Sequence, residues 1–427
     1  MNTLKKAYVE TFGCQMNERD SEIMGQLLAG INYGPTKDVQ QADVIVINTC
    51  SIRDKAEQKV YSLLGRLKKL KDKKPSLIIS VAGCVAQQEG KRLQDRMEHV
   101  DIVLGPQQIY KLPELIAKAA QGTKVQLAVE LSPDFRIPHY SPPSPAEYTP
   151  ENRREDALPS FKKFVTIMQG CNNFCTYCVV PYTRGREISR PLEDIIAEIE
   201  YLAQQGVKDV TLLGQNVNSY GNAQSISFPE LLKLVAAIDG IERLRFTTSH
   251  PKDLSSELVQ CFAAIDKLCP HFHLPVQSGS NRILAKMNRK YTIEEYLAKI
   301  KALRDVRPDI VLTSDIIVGF PGEKDEDFQA TMQMLAQIRY HGVYSFKYSD
   351  RPQARAVSFE GKVDEQTKAD RLRLLQARQN EITLQRNREY VGSVQAVMVE
   401  GKSKNVAGQW SGRTTGNIIV NFDGPAL

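Results

Sequence analysis

The sequence predicts an α/β protein in three parts: an N-terminal parallel-sheet α/β domain, a central partial (βα)6 barrel and a small C-terminal β-barrel. First, β-branched apolar runs alternate with helix-like stretches, which is typical of βαβ units. Second, a length of 427 residues exceeds what one hydrophobic core supports. Third, a proline-rich stretch interrupts the alternation and marks a boundary.

The N-terminal part, residues 1–130, contains three apolar runs that each end in a cysteine: KAYVETFGC, ADVIVINTC and SLIISVAGC. Helix-like patterns at 21–29 and 54–69 lie between these runs. Strands that alternate with helices in this way predict a parallel sheet. The following residues 131–158 are rich in proline, tyrosine and charge, and we expect them to form a linker.

The central part, residues 159–388, contains six candidate strands separated by helical patterns. The strands are at 164–168, 210–214, 244–249, 272–276, 310–319 and 343–349, and the helices are at 192–205, 228–239, 254–268, 281–305 (broken near Tyr291) and 324–339. A full barrel of this type has eight βα units. Six units therefore predict a partial, open (βα)6 barrel, which a charged helix at 364–389 follows.

The last part, residues 389–427, has short strand-like runs with glycine turns and predicts a small β-barrel. Lys402, Lys404 and Arg413 lie among its glycines, a composition that suits RNA binding. The segment is short for such a module, so we expect the barrel to be incomplete.

The composition is that of a globular protein, with 42% hydrophobic and 25% charged residues. No apolar run approaches the ~20 residues of a membrane span, and the N-terminus lacks the features of a signal peptide. We therefore expect a cytoplasmic protein with no membrane partner, in which metal ligands or catalytic groups among the eight cysteines are favoured over a disulfide framework. The net charge of +6 suits an anionic partner such as RNA, and it equally suits a basic surface without one.

Residues 170–178 read GCNNFCTYC and place Cys171, Cys175 and Cys178 just after a predicted strand. Thiolates are preferred ligands of iron–sulfur clusters. Three of them can hold three irons of a [4Fe–4S] cluster, and the fourth iron is then open to the amino and carboxylate groups of S-adenosylmethionine. The carboxyl end of a barrel strand is also where the active sites of barrel enzymes lie.

A structural zinc site is the alternative for these three cysteines. Such sites usually have a fourth Cys or His ligand. The next cysteines, Cys261 and Cys269, lie far along the chain in or beside a predicted helix, and no histidine is near the motif. We interpret these two as core or helix-end residues and favour the iron–sulfur cluster.

Cys14, Cys50 and Cys84 are far apart in sequence, but each ends a predicted strand of the same sheet. The carboxyl ends of parallel strands share one edge, so the three thiols should converge there. Their glycine or small polar neighbours in FGCQMN, NTCSIR and AGCVAQ suit a close approach to a cluster. Three buried structural cysteines are the alternative. We favour a second cluster because all three occupy the same position in their strands.

The CxxxCxxC spacing resembles the motif of the radical S-adenosylmethionine superfamily. In that superfamily the aromatic residue just before the third cysteine lies near the adenine of the cofactor, which implies this role for Tyr177. Other contacts come from the ends of later barrel strands. The residues at those positions are Gln215, Asn216, Ser249, Gln277, Thr313 and Asp315. Each of them could equally be an ordinary polar residue at a strand end.

The whole chain resembles the methylthiotransferase family of the MiaB type. The matching stretches are TFGCQMNERDSE, NTCSIRDKAEQKVY, GCNNFCTYCVVPYTRGREISRP, LLGQNVNSY, HLPVQSGSNRILAKMNRKYT and SDIIVGFPGE. The family has an N-terminal domain with an auxiliary cluster, a radical domain and a C-terminal TRAM domain. That order matches the three parts that the sequence patterns predict.

The resemblance implies a reaction on tRNA, in which an isopentenyl-bearing adenosine beside the anticodon gains a methylthio group on C2. It implies two [4Fe–4S] clusters and two molecules of S-adenosylmethionine. One molecule would methylate sulfur at the cluster of the N-terminal cysteines, and the other would be cleaved at the CxxxCxxC cluster to remove the C2 hydrogen. Such a C–H bond resists acid–base attack, so the cofactors must supply the chemistry that removes the hydrogen. The implied partners are the tRNA anticodon loop, an electron donor such as a flavodoxin or ferredoxin, and a sulfur-carrier protein.

Basic residues near the cysteine motif are candidates for RNA contacts, since arginine binds phosphate bidentately and stacks on bases. They are Arg184, Arg186, Arg190, Lys286, Arg289 and Lys290. The alternatives are a solvated charged surface and, for the arginines, contacts to the cofactor or to a loop.

Two substrates of the same chemistry remain as alternatives: threonylcarbamoyl-adenosine in tRNA and an aspartate of a ribosomal protein. The stretches NTCSIRDKAEQKVY and GCNNFCTYCVVPYTRGREISRP look most like the isopentenyl-adenosine enzyme. A non-catalytic iron–sulfur RNA-binding protein is an alternative of a different class, which cleavage of S-adenosylmethionine would rule out.

Overall fold

The computed structural model describes residues 4–51, 54–123, 126–139, 161–221, 226–404 and 406–424. They fall into two compact units. The first unit comprises residues 1–172, 179–206 and 213–215, and the second comprises residues 173–178, 207–212 and 216–427. Residues 140–158 of the predicted linker lie outside the described residues.

The sequence predicts a parallel sheet from three runs that end in cysteine, and the first unit is built on a parallel sheet of six strands. Its strands are β1 (Lys5–Thr11), β2 (Tyr33–Pro35), β3 (Val44–Thr49), β4 (Ile78–Gly83), β5 (Ile102–Leu104) and β6 (Gln126–Ala128). Its helices include α1 (Gln15–Ala29), α2 (Asp54–Lys73), α3 (Cys84–Glu89), α4 (Lys91–Arg96) and α5 (Leu112–Ala120). The strand order is β2-β1-β3-β4-β5-β6, and every neighbouring pair is parallel.

Helix α1 begins before the start that the apolar pattern predicts at residue 21. Its first turns bury polar side chains, among them Asn17, Arg19 and Asp20. The spacing of apolar residues cannot reveal a helical turn whose buried face is polar. These buried polar residues therefore mark the first turns of α1 as part of a site, while later apolar residues of the helix pack into the core.

Both faces of the sheet are covered, which explains its uninterrupted apolar strands. In β3, Val44 and Val46 pack into one core with residues of α1 and α5. Ile45 and Ile47 point to the opposite face and pack with residues of α2. Successive strand residues face opposite sides, so a sheet with helices on both sides needs apolar residues at every position.

The first unit also contains the start of the predicted barrel. Its elements are β7 (Lys162–Thr166), β8 (Met168–Gln169), α6 (Val180–Thr183), β9 (Ile188–Ser189) and α7 (Leu192–Gln204). The single strand predicted at 164–168 is therefore two short strands, of which β8 pairs antiparallel with β9. Ile167 separates them, and its backbone N–H donates to the carbonyl of Leu213 at 2.9 Å.

The second unit continues the alternation of strands and helices. Its strands are β10 (Asp209–Leu213), β11 (Arg243–Thr247), β12 (His271–His273), β13 (Val311–Val318) and β14 (Gly342–Lys347). The last residue of β10, Leu213, belongs to the first unit. The helices of the second unit are α8 (Phe228–Ala236), α9 (Ser256–Ala264), α10 (Asn281–Lys286), α11 (Ile293–Val306), α12 (Asp325–Ile338) and α13 (Glu365–Arg388). β10 neighbours β11, and β12, β13 and β14 form a parallel sheet. With β7, six strands alternate with helices along the chain, as the sequence predicts.

The break that the sequence predicts near Tyr291 lies between α10 and α11. Asn288 and Lys290 have left-handed backbones, with φ of 58° and 59°, which no α-helix can accommodate. Thr292 then begins α11 with a capping box, in which its side chain and that of Glu295 each accept the other's backbone N–H. Within the described ranges, no helix combines the length and apolar character that crossing a membrane requires.

The C-terminal part forms an antiparallel sheet of three strands, β15 (Val397–Lys402), β16 (Trp410–Thr414) and β17 (Ile419–Phe422). The sequence predicts a small barrel here. The described residues among 389–424 form an open sheet, because three strands are too few to close.

Two buried arginines of β11, Arg243 and Arg245, hold this sheet. They donate to the main-chain carbonyls of Ala396, Arg413, Thr414 and Thr415, at distances from 2.8 to 3.1 Å. Arg245 also pairs with the buried carboxylate of Asp209 at 3.1 Å. The sheet is thus fixed to the amino-terminal half of β11 through its own backbone.

We expect the double substitution Arg243→Ala and Arg245→Ala to loosen the C-terminal sheet. It removes four hydrogen bonds from charged groups and leaves Asp209 buried without its cation. Amide hydrogen exchange in β15–β17 should become at least about tenfold faster, since such bonds contribute roughly 1.5–3 kcal/mol each. Lys208→Ala is the control, because its pair with Glu242 is largely exposed. Unchanged exchange in the double variant would contradict the anchoring role.

Two candidate cysteine sites

Three cysteines of the first unit lie at the carboxyl ends of neighbouring parallel strands. Cys14 follows β1 as the N-cap of α1, Cys50 follows β3 directly, and Cys84 follows β4 as the first residue of α3. The strand order reverses between β1 and β3, and ligands of open α/β sheets bind at such a switch point. The structure thus places Cys14 and Cys50 on either side of the position where this fold binds ligands.

Two glycines allow the strand ends to approach one another closely. Gly13 has φ +124°, and a Cβ there would lie 2.3 Å from Cβ and 2.8 Å from Sγ of Cys50. Gly83 has φ +93°, and a Cβ there would lie 2.4 Å from the carbonyl oxygen of Thr49. The sequence predicts that small residues beside the cysteines allow a close approach. The structure shows that a side chain at Gly13 would overlap Cys50 and that one at Gly83 would overlap the backbone of Thr49.

The electrostatics of this site differ between the thiols. A hydrogen bond with Cys50 lowers the pKa of Cys14 to about 6, and the Arg184 guanidinium acts in the same direction against burial. Burial raises the pKa of Cys84, and Arg184 opposes that shift. Arg184 therefore lies close enough to favour the thiolate at both positions.

Arg184 is held in the site by residues of α1. Its Nη2 donates to the carboxylate of Asp20 at 2.7 Å and to Oδ1 of Asn17 at 2.9 Å. Its Nη1 is buried and has no hydrogen-bond partner among the described residues. Asn17 also donates to the carbonyl of Thr49 at 2.8 Å, which ties α1 to the end of β3.

The donor set of this site fits an iron–sulfur cluster. Thiolates are the ligands that such clusters prefer, and a buried guanidinium offsets part of their negative charge. Over the described residues, no three Cys, His, Asp or Glu side chains form a ready-made metal site. The match between this site and an iron–sulfur cluster therefore rests on the thiol groups that it offers rather than on ligands already arranged around a metal position.

The first cysteine of the CxxxCxxC motif, Cys171, lies in the first unit. Its backbone N–H donates to the carbonyl of Gly185 at 3.2 Å. The preceding Gly170 has φ +81°, and a Cβ there would lie 2.0 Å from the carbonyl of Arg186. The backbone N–H of Gly170 donates to the side chain of Gln215. Gln215 thus holds the start of the cysteine loop, a structural role that agrees with the alternative of an ordinary polar residue at a strand end.

The other two cysteines of the motif, Cys175 and Cys178, lie in the second unit, and their loop is tied to the segment after α10. Thr176 donates from its backbone to the carbonyl of Met287 at 3.1 Å, and from its hydroxyl to that of Lys286 at 2.9 Å. Asn288 donates to the carbonyls of residues 173 and 174. This segment therefore fixes the loop that carries both cysteines.

Two nitrogen donors face the sulfur of Cys175. Nη1 of Arg289 lies 3.4 Å from Sγ, and Nε2 of His250 lies 4.0 Å from it. Burial lowers the pKa of His250 to about 2, with Arg289 as the next cause, so the imidazole is neutral. Asn216 accepts the backbone N–H of His250 at 3.1 Å. Sequence reasoning missed His250, although it follows the strand-end residue Ser249 directly.

The strand-end residues proposed for the cofactor have different surroundings. Asn216 is buried, and its amide donates to Asp253 at 2.7 Å. The hydroxyl of Ser249 is buried and has no hydrogen-bond partner among the described residues, which leaves it free for a ligand. The hydroxyl of Thr313 lies 3.0 Å from Nδ1 of His273.

Three further candidates lie around β13. Gln277, with φ +73°, pairs its backbone with Asp315 and Ile317. Asp315 and Ile317 are two apart in β13 and share a face of the strand. Tyr177 packs against the same apolar cluster as Ile317. Asp315 is thus on the same face of β13 as Ile317.

The assignment of arginines near the motif to RNA is wrong for three of them. Arg184, Arg190 and Arg289 are only 3%, 2% and 4% exposed. Arg190 pairs with the buried carboxylate of Glu198, which also pairs with Arg19 at 2.5 Å. Charge in a sequence does not reveal burial, and these side chains stabilise the protein from within. Arg186, Lys286 and Lys290 are exposed, as an RNA contact requires.

Three family models match the chain. The Uncharacterized protein family UPF0004 matches residues 6–105, the Radical SAM superfamily matches residues 165–335, and the TRAM domain matches residues 388–427. The first two matches contain the N-terminal cysteines and the CxxxCxxC motif, respectively.

Curated relatives match the chain along almost its whole length. The tRNA-2-methylthio-N(6)-dimethylallyladenosine synthase of Desulfotalea psychrophila is 51% identical over 424 residues, covering 98% of this chain and 92% of that protein. The protein of the same name from Geotalea uraniireducens is 51% identical, covering 99% and 93%. The chain belongs to this family. As a member of the tRNA-2-methylthio-N(6)-dimethylallyladenosine synthase family with a radical SAM domain, it is an enzyme.

Solved structures confirm the fold of this synthase family member. The radical S-adenosylmethionine methyltransferase TsrM from Kitasatospora setae matches with a TM-score of 0.57 and 14% identity, over 80% of this chain and 73% of that chain. The cobalamin-dependent S-adenosylmethionine radical enzyme OxsB matches with a TM-score of 0.56 and 12% identity, over 83% and 55%. At these identities the likeness concerns the fold alone.

We expect Cys14 of the metal-free protein to react with iodoacetamide with a midpoint near pH 6. The thiolate is the reactive form, and it prevails above the lowered pKa of about 6 and declines below it. Peptide mass spectrometry after timed alkylation at each pH measures this profile. Cys269 is the control, since burial raises its pKa to about 11 and it should react slowly throughout. A midpoint for Cys14 near the ~8.5 of an ordinary cysteine would contradict the electrostatics of the site.

Proposed function

We propose that this protein converts N6-isopentenyladenosine beside the anticodon of tRNA to its 2-methylthio derivative. The observation that carries the proposal is 51% identity to tRNA-2-methylthio-N(6)-dimethylallyladenosine synthases across 98–99% of the chain. The cysteine placement supports it, because one set of three thiols follows the strands of the N-terminal sheet and a second set forms the CxxxCxxC motif.

Two [4Fe–4S] clusters are part of this proposal. Cys171, Cys175 and Cys178 would hold the first, and the cysteines that end β1, β3 and β4 would hold the second. When bound, these clusters and S-adenosylmethionine supply the radical and the sulfur for a C–H bond that acid–base groups cannot attack. The protein's own contribution is thiolate donors in buried surroundings, with Arg184 beside one set and Arg289 beside the other.

Several residues of the second unit are proposed to bind S-adenosylmethionine. Tyr177, which packs on an apolar cluster, offers a ring for the adenine. Ser249 has a buried hydroxyl that a ligand would satisfy. Asp315 lies within β13, and Gln277, four residues after β12, pairs its backbone with that strand. Thr313 and Asn216 already have protein partners, and with Gln215 they position their neighbours.

The proposed partners follow from the substrate and the cofactors. The tRNA anticodon loop presents an unpaired base that an enzyme can splay out at modest cost, and the TRAM domain match supports RNA binding. Cleavage of S-adenosylmethionine needs an electron donor such as a flavodoxin or ferredoxin. Repeated sulfur transfer needs replacement sulfur, for which we propose a sulfur-carrier protein. A cytoplasmic location would keep the thiol ligands reduced.

Nucleoside analysis tests the substrate. Cells that lack their own enzyme should regain 2-methylthio-N6-isopentenyladenosine in digested tRNA when they express this protein, as measured by liquid chromatography and mass spectrometry. Cys175→Ala should reduce that nucleoside to background and let N6-isopentenyladenosine accumulate. Cys261→Ala, which alters a buried cysteine of α9, is the control and should retain the activity. A methylthio group found instead on threonylcarbamoyl-adenosine or on a ribosomal-protein aspartate would reassign the substrate.

Iron analysis tests the two-cluster claim. The triple substitution of Cys14, Cys50 and Cys84 by Ala should roughly halve the iron of anaerobically reconstituted protein, because it removes one of two Cys-ligated clusters. A double substitution of Cys261 and Cys269 by Ala, both buried in the core, should leave the iron unchanged. The two-cluster claim would be wrong if the triple variant bound as much iron as the parent protein.

A further inference from the structure

Arg289 is a buried cation that contacts both the cysteine loop and the residue proposed to face the adenine. Its Nη1 lies 3.4 Å from Sγ of Cys175 and 3.3 Å from the hydroxyl of Tyr177. Its Nη2 donates to the carbonyl of Pro275 at 2.7 Å, and its Nε to the hydroxyl of Tyr291 at 3.1 Å. The side chain is therefore held from three directions with one nitrogen facing sulfur.

The charge of Arg289 has no carboxylate partner among the described residues. Its oxygen contacts are a carbonyl and two phenol hydroxyls, all of them neutral. A buried cation without a counter-charge is costly. The Cys175 sulfur, which becomes a thiolate when it binds iron, is the group within reach that can supply negative charge.

The backbone around Arg289 is arranged to place its side chain at the cysteine loop. The left-handed residues Asn288 and Lys290 flank it, shortly after the end of α10. The Asn288 amide donates to the carbonyls of residues 173 and 174, at 3.1 and 3.0 Å. Two hydrogen bonds therefore join the residue next to Arg289 to the loop that carries Cys175.

A second, weaker donor faces the same sulfur. His250 accepts the backbone N–H of Lys252 at its Nδ1 at 3.2 Å. In a neutral imidazole the proton then belongs to Nε2, the atom that lies 4.0 Å from Sγ of Cys175. One ligand sulfur thus has N–H donors on two sides.

We propose that Arg289 is a positioning residue that raises the reduction potential of the cluster held by the CxxxCxxC motif and orients Tyr177. Hydrogen bonds to ligand sulfurs and nearby positive charge both stabilise the more negative, reduced state of a cluster. The same guanidinium nitrogen bonds the Tyr177 hydroxyl, so the electron-accepting site and the adenine site share one anchor. This inference rests on the proposed iron ligands but not on the proposed tRNA substrate.

The test is a redox titration monitored by electron paramagnetic resonance. The parent is the full chain with Cys14, Cys50 and Cys84 replaced by Ala, so that one cluster is observed. Arg289→Met should lower the ratio of reduced to oxidised cluster at a fixed potential by about tenfold or more, which corresponds to about 59 mV for a one-electron couple. Arg289→Lys, which keeps the charge, should fall between the parent and Arg289→Met.

The controls distinguish the effect of a positive charge that contacts the Cys175 sulfur from the effect of any positive charge nearby in the sequence. Lys290→Met removes the neighbouring exposed charge and should leave the potential unchanged. If Arg289→Met shifts the potential no more than Lys290→Met does, the proposal is overturned. If Arg289→Met fails to bind iron, Arg289→Lys and Arg289→Gln are titrated instead, and a parental potential in both overturns it equally.

The titration contains no tRNA, so a different substrate would not affect its outcome. A parent protein that binds no cluster would overturn both the iron ligands of the proposed function and this inference.

Discussion

Thiolates can gather in a buried site only if positive charge accompanies them, and this constraint organises both cysteine sites. In the first unit Arg184 lies beside Cys14 and Cys84, held by the carboxylate of Asp20. In the second unit Arg289 contacts Cys175 with no carboxylate partner among the described residues. Much of the polar architecture around the sites, including the buried polar face of α1 and the loop after α10, serves to hold these guanidinium groups.

The parallel sheet of the first unit shows what sequence alone can establish. Apolar runs that end in cysteine predicted both the strands and the convergence of their ends, because parallel strands share one carboxyl edge. The pattern could not reveal the start of α1, where Asn17 and Asp20 face inward. At the start of α1, buried polar side chains that hold Arg184 occupy the positions where an amphipathic helix usually has apolar residues. The apolar pattern therefore misses these turns.

The arginines show where sequence reasoning failed. Arg184, Arg190 and Arg289 lie in basic stretches that resemble RNA-binding segments, yet all three are buried. Their partners come from distant parts of the chain, such as Glu198 for Arg190 and Pro275 for Arg289. Only the fold brings these groups together, so no local pattern distinguishes an inward arginine from an outward one. His250 escaped notice for the same reason, since its contact with Cys175 depends on two separate loops.

The way in which the C-terminal sheet is attached to β11 has a consequence for how the sequences of the family can diverge. Arg243 and Arg245 bind main-chain carbonyls of that sheet rather than its side chains. Because the acceptors are main-chain carbonyls, these hydrogen bonds do not depend on which side chains the bonded residues carry, provided that the backbone conformation is unchanged. The outer surface of the sheet can therefore accumulate substitutions while its attachment to β11 stays the same.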